Sequence, residues 1–204
     1  MKKSKRSDVD PFIVMDVMES ARIAEEKGKD IIHMEVGQPG TPAPKIAKDY
    51  ITNEINKNNL GYTVSLGLPA LRTKISKLYG DWYNLDLNPN RIVVTTGSSG
   101  AFILSFSALF DSGDRVGIGS PSYPSYRQIL KSLSLETVDI QTKLQNRFQP
   151  VPEDITNNNL NGILVASPAN PTGSMLDKQS LENLINTANA VSYTHLRAHE
   201  TGSY

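Results

Sequence analysis

Gly162-Ile-Leu-Val-Ala166 runs directly into Ser167-Pro168-Ala169-Asn170-Pro171-Thr172-Gly173, and the reading of this stretch decides the fold. The first five residues read as a strand. Two prolines make the segment that follows a rigid, specific turn, one that could hold a cis bond. Asn170 offers a donor and an acceptor together, which is what holding a ring hydroxyl or phenolate oxygen requires. In an open α/β sheet, ligands bind beyond the carboxyl ends of the strands, so a turn in this place is a candidate site.

Working outward, strand and helix patterns alternate. Arg115–Gly119 is a strand candidate, followed by Ser120-Pro-Ser-Tyr-Pro124 and a helix to about Leu133; Leu135–Ile140 is a further strand candidate. Arg91–Thr95 reads as a strand that passes through Thr96-Gly97-Ser98-Ser99-Gly100 into a helix over Ala101–Phe110. From Pro11 to Lys27, Val14, Val17, Met18, Ala21 and Ala24 share a helical face, with Gly28 placed to cap it. Ile31–Glu35 reads as a short strand before the turn Gly37-Gln-Pro-Gly-Thr-Pro-Ala-Pro44. Leu68, Leu71, Ile75, Leu78 and Trp82 recur at helical spacing behind Pro69, and Leu181, Leu184, Ile185 and Ala188 stripe a last helix. The alternation predicts an α/β domain with a largely parallel sheet.

Three more turns carry candidate chemistry. Ser98 and Ser99 stand where free backbone N–H groups open a helix, a setting that suits a phosphate; a serine N-cap in a tight turn is the plainer alternative. There is no lysine there for a P-loop and no G-x-G-x-x-G for a dinucleotide. Tyr123, held between prolines at a strand end, could stack on a flat heteroaromatic ring or simply sit half-buried in a proline-rich loop. Gly37 leaves its N–H open to a carboxylate, or makes an ordinary Gly-Pro turn.

Composition narrows the function. The 204 residues are 38% hydrophobic and 21% charged, ordinary values for a soluble enzyme. Lys+Arg and Asp+Glu are balanced at 21 each, so no net field draws the chain to nucleic acid or anionic lipid. With no cysteine and three histidines, a metal site has little to build on. Ile92–Phe110 carries no charge over 19 residues, but the Thr-Thr-Gly-Ser-Ser-Gly cluster splits it into strand and helix. The expected location is cytoplasmic, since no signal-peptide pattern follows Arg6.

Taken in order, Val36-Gly37-Gln-Pro, Gly61-Tyr62-Thr63 with Gly67-Leu-Pro-Ala-Leu71-Arg72, Thr96-Gly97-Ser-Ser-Gly-Ala101, Gly113-Asp114, Ser120-Pro-Ser-Tyr123-Pro and Ser167-Pro-Ala-Asn170-Pro-Thr-Gly173 resemble the class I/II aminotransferases, aspartate aminotransferase-like enzymes of pyridoxal-phosphate fold type I. The resemblance runs from about residue 10 to 190. It implies transfer of an amino group from an L-amino acid to a 2-oxo acid with pyridoxal 5′-phosphate. By the same resemblance, Ser98 and Ser99 would hold the cofactor phosphate, and Tyr123 would stack on its ring. Asn170 would contact the ring oxygen and approach the substrate carboxylate, which Gly37 would also meet through its backbone. Tyr62 would reach the phosphate of a neighbouring subunit in a homodimer. Residues 1–40 would form an N-terminal arm and part of the small domain, and 41–190 an incomplete large cofactor-binding domain.

The family also needs a Schiff-base lysine, an aspartate for the ring nitrogen and an arginine for the substrate carboxylate, all normally after the Asn-Pro-Thr-Gly turn. None is matched here, so the chain is expected to be an N-terminal fragment with no catalytic residue of its own. Lys77, on the striped helix, reads as a solvated surface residue. Residues 191–204, Val-Ser-Tyr-Thr-His-Leu-Arg-Ala-His-Glu-Thr-Gly-Ser-Tyr, resemble translated adapter or vector read-through, with a native surface segment as the alternative. The same motifs would serve another fold-type I enzyme, such as a carbon–sulfur lyase or an aminocyclopropane carboxylate synthase relative. They would also serve the effector domain of a transcription regulator, although only about ten residues precede the first helix.

Overall fold

The computed structural model describes residues 3–38, 40–191 and 194–198. The chain divides into two compact units, Ile13–Thr96 and Met1–Phe12 with Gly97–Tyr204.

In the first unit, α1 (Ile13–Glu26), α2 (Lys45–Ile55) and α3 (Pro69–Tyr83) are joined by irregular segments. On α1, Val14, Met18, Ala21 and Ala24 are half-buried at helical spacing while Val17 is exposed, and Gly28, at φ +79°, donates its N–H to Glu25 O at 2.8 Å. Ile31–Glu35 is not a strand. Extended residues become a strand only when a neighbour takes their N–H and C=O groups, and none of the described residues does so here. Instead His33 bridges two carboxylates, Nδ1 to Glu35 Oε1 at 2.6 Å and Nε2 to Glu25 Oε1 at 2.9 Å.

α3 turns a different face inward from the one its leucines suggest. Leu68, Leu71, Leu78 and Trp82 are exposed, whereas Arg72 is buried and donates from Nη1 to Pro89 O at 3.1 Å. Ser76 Oγ donates to Leu87 O at 2.5 Å. Polar side chains thus dock the helix onto the segment that follows it. That segment, Arg91–Thr95, is likewise not a strand: Pro89–Arg91 forms a 3-10 turn, and the Val94 N–H goes to Leu66 O at 3.0 Å.

The second unit holds α4 (Gly97–Leu109), β1 (Arg115–Ser120), α5 (Pro124–Ser132), β2 (Glu136–Gln141), α6 (Pro152–Asn157), β3 (Gly162–Ala166), α7 (Lys178–Ala190) and β4 (Thr194–Ala198). The strands form one parallel sheet, as the alternation predicted, and their order is β2-β1-β3-β4. Both faces are covered. Phe102 and Phe106 of α4 and Tyr126, Ile129 and Leu130 of α5 pack with Val116, Ile118 and Leu164 on one side. On the other, Ile155 of α6 and Leu184 and Ala188 of α7 pack with Ile140, Ile163 and Val165. Side chains alternate across a strand, so β3 supplies Leu164 to one core and Ile163 and Val165 to the other. At the centre, Gly117 lies opposite Val138 on β2 and Ile163 on β3, and a Cβ there would come within 2.7 Å of Leu160 Cδ1 and 3.0 Å of Ile140 Cδ1.

The tail differs from expectation in one respect. No strand was foreseen after residue 191, yet Thr194–Ala198 pairs in parallel register with Gly162–Ala166. The backbone groups along that side of β3 would otherwise lack partners, and a neighbouring strand satisfies them. The rest of that tail, 192–193 and 199–204, lies outside the described residues. No helix of the described residues is long and apolar enough to cross a membrane.

Candidate functional site

The chain leaves β1 for β2 on one side, while β3 lies on the other. Connections that diverge in this way open a crevice at the carboxyl ends of the two central strands. Two turns border it. Ser120–Tyr123 leaves β1 and Ser167–Gly173 leaves β3, and Pro121 and Ser122 line one cleft with Ala169 and Asn170, over Ile118 and Leu164. The peptide bonds Ser120–Pro121, Ser167–Pro168 and Asn170–Pro171 are cis. Internal hydrogen bonds hold the second turn, from Gly173 N to Ala169 O at 2.7 Å and from Ala169 N to Ser174 O at 2.9 Å.

Tyr123 is the residue before α5 and is half-buried. Two rings meet it at steep angles, Tyr126 at 5.5 Å and Phe12 at 6.1 Å between centroids. Tyr126 in turn meets Phe102 of α4 at 5.1 Å, so an aromatic series links the helix carrying Ser98 and Ser99 to Tyr123. Ser98 and Ser99 are exposed in the first turn of α4, about one turn ahead of Phe102, and that turn holds no acidic residue. An anion is favoured there by the helix dipole and the backbone N–H groups of the first turn.

Pyridoxal 5′-phosphate presents a phosphate, a flat ring and a ring oxygen, and this unit carries a group of suitable chemistry for each, of which Asn170 lines the cleft while Ser98, Ser99 and Tyr123 are not among its lining residues. A carboxylate-free helix start with two hydroxyls suits the phosphate, a half-exposed tyrosine suits the ring, and a carboxamide at the cleft suits the oxygen. Gly37 and Tyr62 belong to the other unit, and both are exposed. Reading the sequence missed Gln149, which lines the same cleft as Asn170 and is 4% exposed. A lone glutamine between Phe148 and Pro150 carries no motif that would single it out.

A profile of the family Aminotransferase class I and II matches residues 29–195. The chain is 42% identical over 178 residues to a valine–pyruvate aminotransferase of Mycobacterium tuberculosis, covering 86% of this chain and 46% of that protein. It is 33% identical over 171 residues to a (5-formylfuran-3-yl)methyl phosphate transaminase of Methanocaldococcus jannaschii, covering 84% of this chain and 45% of the relative. The crystal structure of an aminotransferase from Mycobacterium tuberculosis superposes with a TM-score of 0.91 at 36% identity, over all of this chain and 56% of that one. The chain thus spans about half the length of the curated relatives it matches.

Proposed function

The chain belongs to the class I and II aminotransferase family, and from that membership we propose that the protein it represents moves an amino group from an L-amino acid to a 2-oxo acid with pyridoxal 5′-phosphate. The observation that carries this reading is the pair of turns at the carboxyl ends of β1 and β3, which bring Ser122 and Asn170 to one cleft. When bound, the cofactor supplies a carbonyl that takes up the amino group and a ring that accepts the electron pair released at the α-carbon.

In this reading the chain's own residues bind and orient. Ser98, Ser99 and the backbone N–H groups beside them hold the phosphate dianion. Tyr123 supports the ring, its plane set by Tyr126 and Phe12. The Asn170 amide N–H donates to the ring oxygen and thereby biases where that oxygen's proton resides. Gly37 offers its N–H to the substrate carboxylate, and Tyr62 completes the phosphate site of a second subunit in a homodimer.

One relative is named for valine and pyruvate and another for a furan phosphate, so the family accepts chemically diverse amino-group carriers. We take valine with pyruvate as the first pair to assay, on the strength of the 42% identity. The full-length protein should transfer ¹⁵N from labelled valine to pyruvate, and Asn170→Ala should lower the rate while leaving the fold intact. No label transfer across a broad panel of amino acids and 2-oxo acids would overturn the reading.

A further inference from the structure

Gln149 occupies a position that its neighbours enforce. Arg147 and Phe148 both adopt left-handed backbone conformations with φ 53°. The turn is tied by hydrogen bonds from Arg147 N to Leu144 O at 2.8 Å, Phe148 N to Lys143 O at 2.9 Å and Gln149 N to Asn146 O at 3.0 Å. Left-handed geometry is unfavourable for a side chain as large as phenylalanine, so something must hold this turn in place. The Gln149 amide provides the anchor. Its Nε2 lies 3.2 Å from Ala166 O, 2.9 Å from Ser174 O and 3.2 Å from Ser174 Oγ.

These acceptors stand at the two ends of one turn. Ala166 is the last residue of β3, and Ser174 follows Gly173. An amide nitrogen has two hydrogens, enough to serve one end with each. Ser174 O also accepts the Ala169 N–H at 2.9 Å, and Ala169 is the residue before Asn170. A displacement of Ser174 therefore reaches Asn170 through one hydrogen bond and one peptide unit. Ser167, a buried polar residue of this turn, accepts from Leu176 N at 3.0 Å and braces the outgoing chain.

We propose that Gln149 is a positioning residue for Asn170, closing the turn 167–174 so that the Asn170 carboxamide is held at the cofactor's ring oxygen. The proposal rests on the reading of Asn170 given above. An apolar residue of the same length would fill the space but take a donor away from both carbonyls, leaving Ser174 O only the Ala169 N–H, and buried acceptors that lose a partner pull the chain toward other solutions.

The test uses the full-length protein loaded with pyridoxal 5′-phosphate and three variants: Asn170→Ala, Gln149→Met and the double variant. Two quantities are read, the Kd for the cofactor and the pH midpoint of its absorbance change. Gln149→Met should raise the Kd about three- to tenfold, the size of one neutral hydrogen bond. It should also move the midpoint in the same direction as Asn170→Ala, and the double variant should match Asn170→Ala alone because both changes act through one contact. A shifted midpoint in Asn170→Ala beside an unshifted one in Gln149→Met overturns the positioning role by itself. An unshifted midpoint in Asn170→Ala overturns the reading of Asn170 and this inference with it. Should Gln149→Met fail to fold, Ser174→Ala removes one acceptor of the same clasp and must give a smaller shift of the same sign; no shift there overturns the proposal.

Discussion

Arg127 on α5 and Asp139 on β2 meet fork to fork, Nη1 to Oδ2 at 2.5 Å and Nη2 to Oδ1 at 2.6 Å. The pair ties the helix that begins just after Tyr123 to a strand at the edge of the sheet. Both side chains are more than a third exposed, so water and salt screen the attraction. Asp139→Asn should cost about 0.5–1 kcal/mol of unfolding free energy at low salt, and less at 1 M salt. Urea denaturation at two ionic strengths checks this, and a loss that salt leaves unchanged would count against an ionic origin.

His33 gives a pH signature. The hydrogen bond it donates to Glu35, then that to Glu25, raises its pKa from the ordinary 6.5 to about 9, and the contact with His33 lowers that of Glu35. A folded-state pKa above the unfolded one means that the contact stabilises fully below pH 6.5 and is lost as pH rises through about 9. Imidazole NMR should place the His33 midpoint near 9 at low salt and lower in high salt, since His33 and Glu25 are solvent-exposed even though Glu35 is largely covered. A midpoint near 6.5 at low salt would show that the carboxylates do not hold the ring.

Ser99→Asp should split two properties that usually change together. A carboxylate in the first turn of α4 favours the helix dipole and should add about 0.3–1 kcal/mol of stability. The same charge would repel a phosphate, so affinity for pyridoxal 5′-phosphate should fall at least about tenfold, roughly the effect of one close like-charge contact. Thermal unfolding of the apoprotein and cofactor titration separate the two. Unchanged affinity would remove Ser99 from the phosphate site.

Much of the second unit was legible from local pattern. β1, β2 and β3 lie within a residue of where apolar runs and turn residues put them, and the proline turns sit at the carboxyl ends of β1 and β3. Such strands are apolar because both faces are covered, which makes them visible in sequence. The first unit was harder to read. Ile31–Glu35 and Arg91–Thr95 have strand-like composition, but pairing is a property of neighbours, and composition carries no record of it. α2 went unforeseen because Ile46, Tyr50, Ile51 and Ile55 are all exposed and form no inward stripe. α6 is six residues long, started by Pro152 and by an Asp154 carboxylate that accepts from Val151 N at 2.8 Å, too short for periodicity to register. Among the candidate residues, Ser98, Ser99, Tyr123 and Asn170 stood out because they belong to recognisable sequence motifs, although Ser98 and Ser99 fall inside α4 and not in a turn before it. Gln149 did not, because its value lies in three acceptors up to 25 residues away.

Gly67 should resist substitution. It sits at φ +94°, and a Cβ would fall 2.5 Å from Val94 Cγ2 and 2.6 Å from Val94 Cβ. Gly67→Ala combines backbone strain with a collision and should cost about 1–3 kcal/mol. Adding Val94→Ala should recover part of that loss, because it frees the space but leaves the dihedral unfavourable. Full recovery would show that the collision alone matters, and a neutral single variant would contradict both causes.

Gly117 has a wider consequence. Because the methyl group it lacks would collide with Leu160 and Ile140, the sizes of these three side chains are set jointly. A carbon gained at 117 makes the ends of Leu160 and Ile140 turn aside, and a lost carbon at 140 or 160 relieves that crowding, so descendants should tend to change these positions as a set. Laboratory evolution that starts from Gly117→Ala should therefore find its first compensations at 140 and 160, before any change at Ser98, Tyr123 or Asn170.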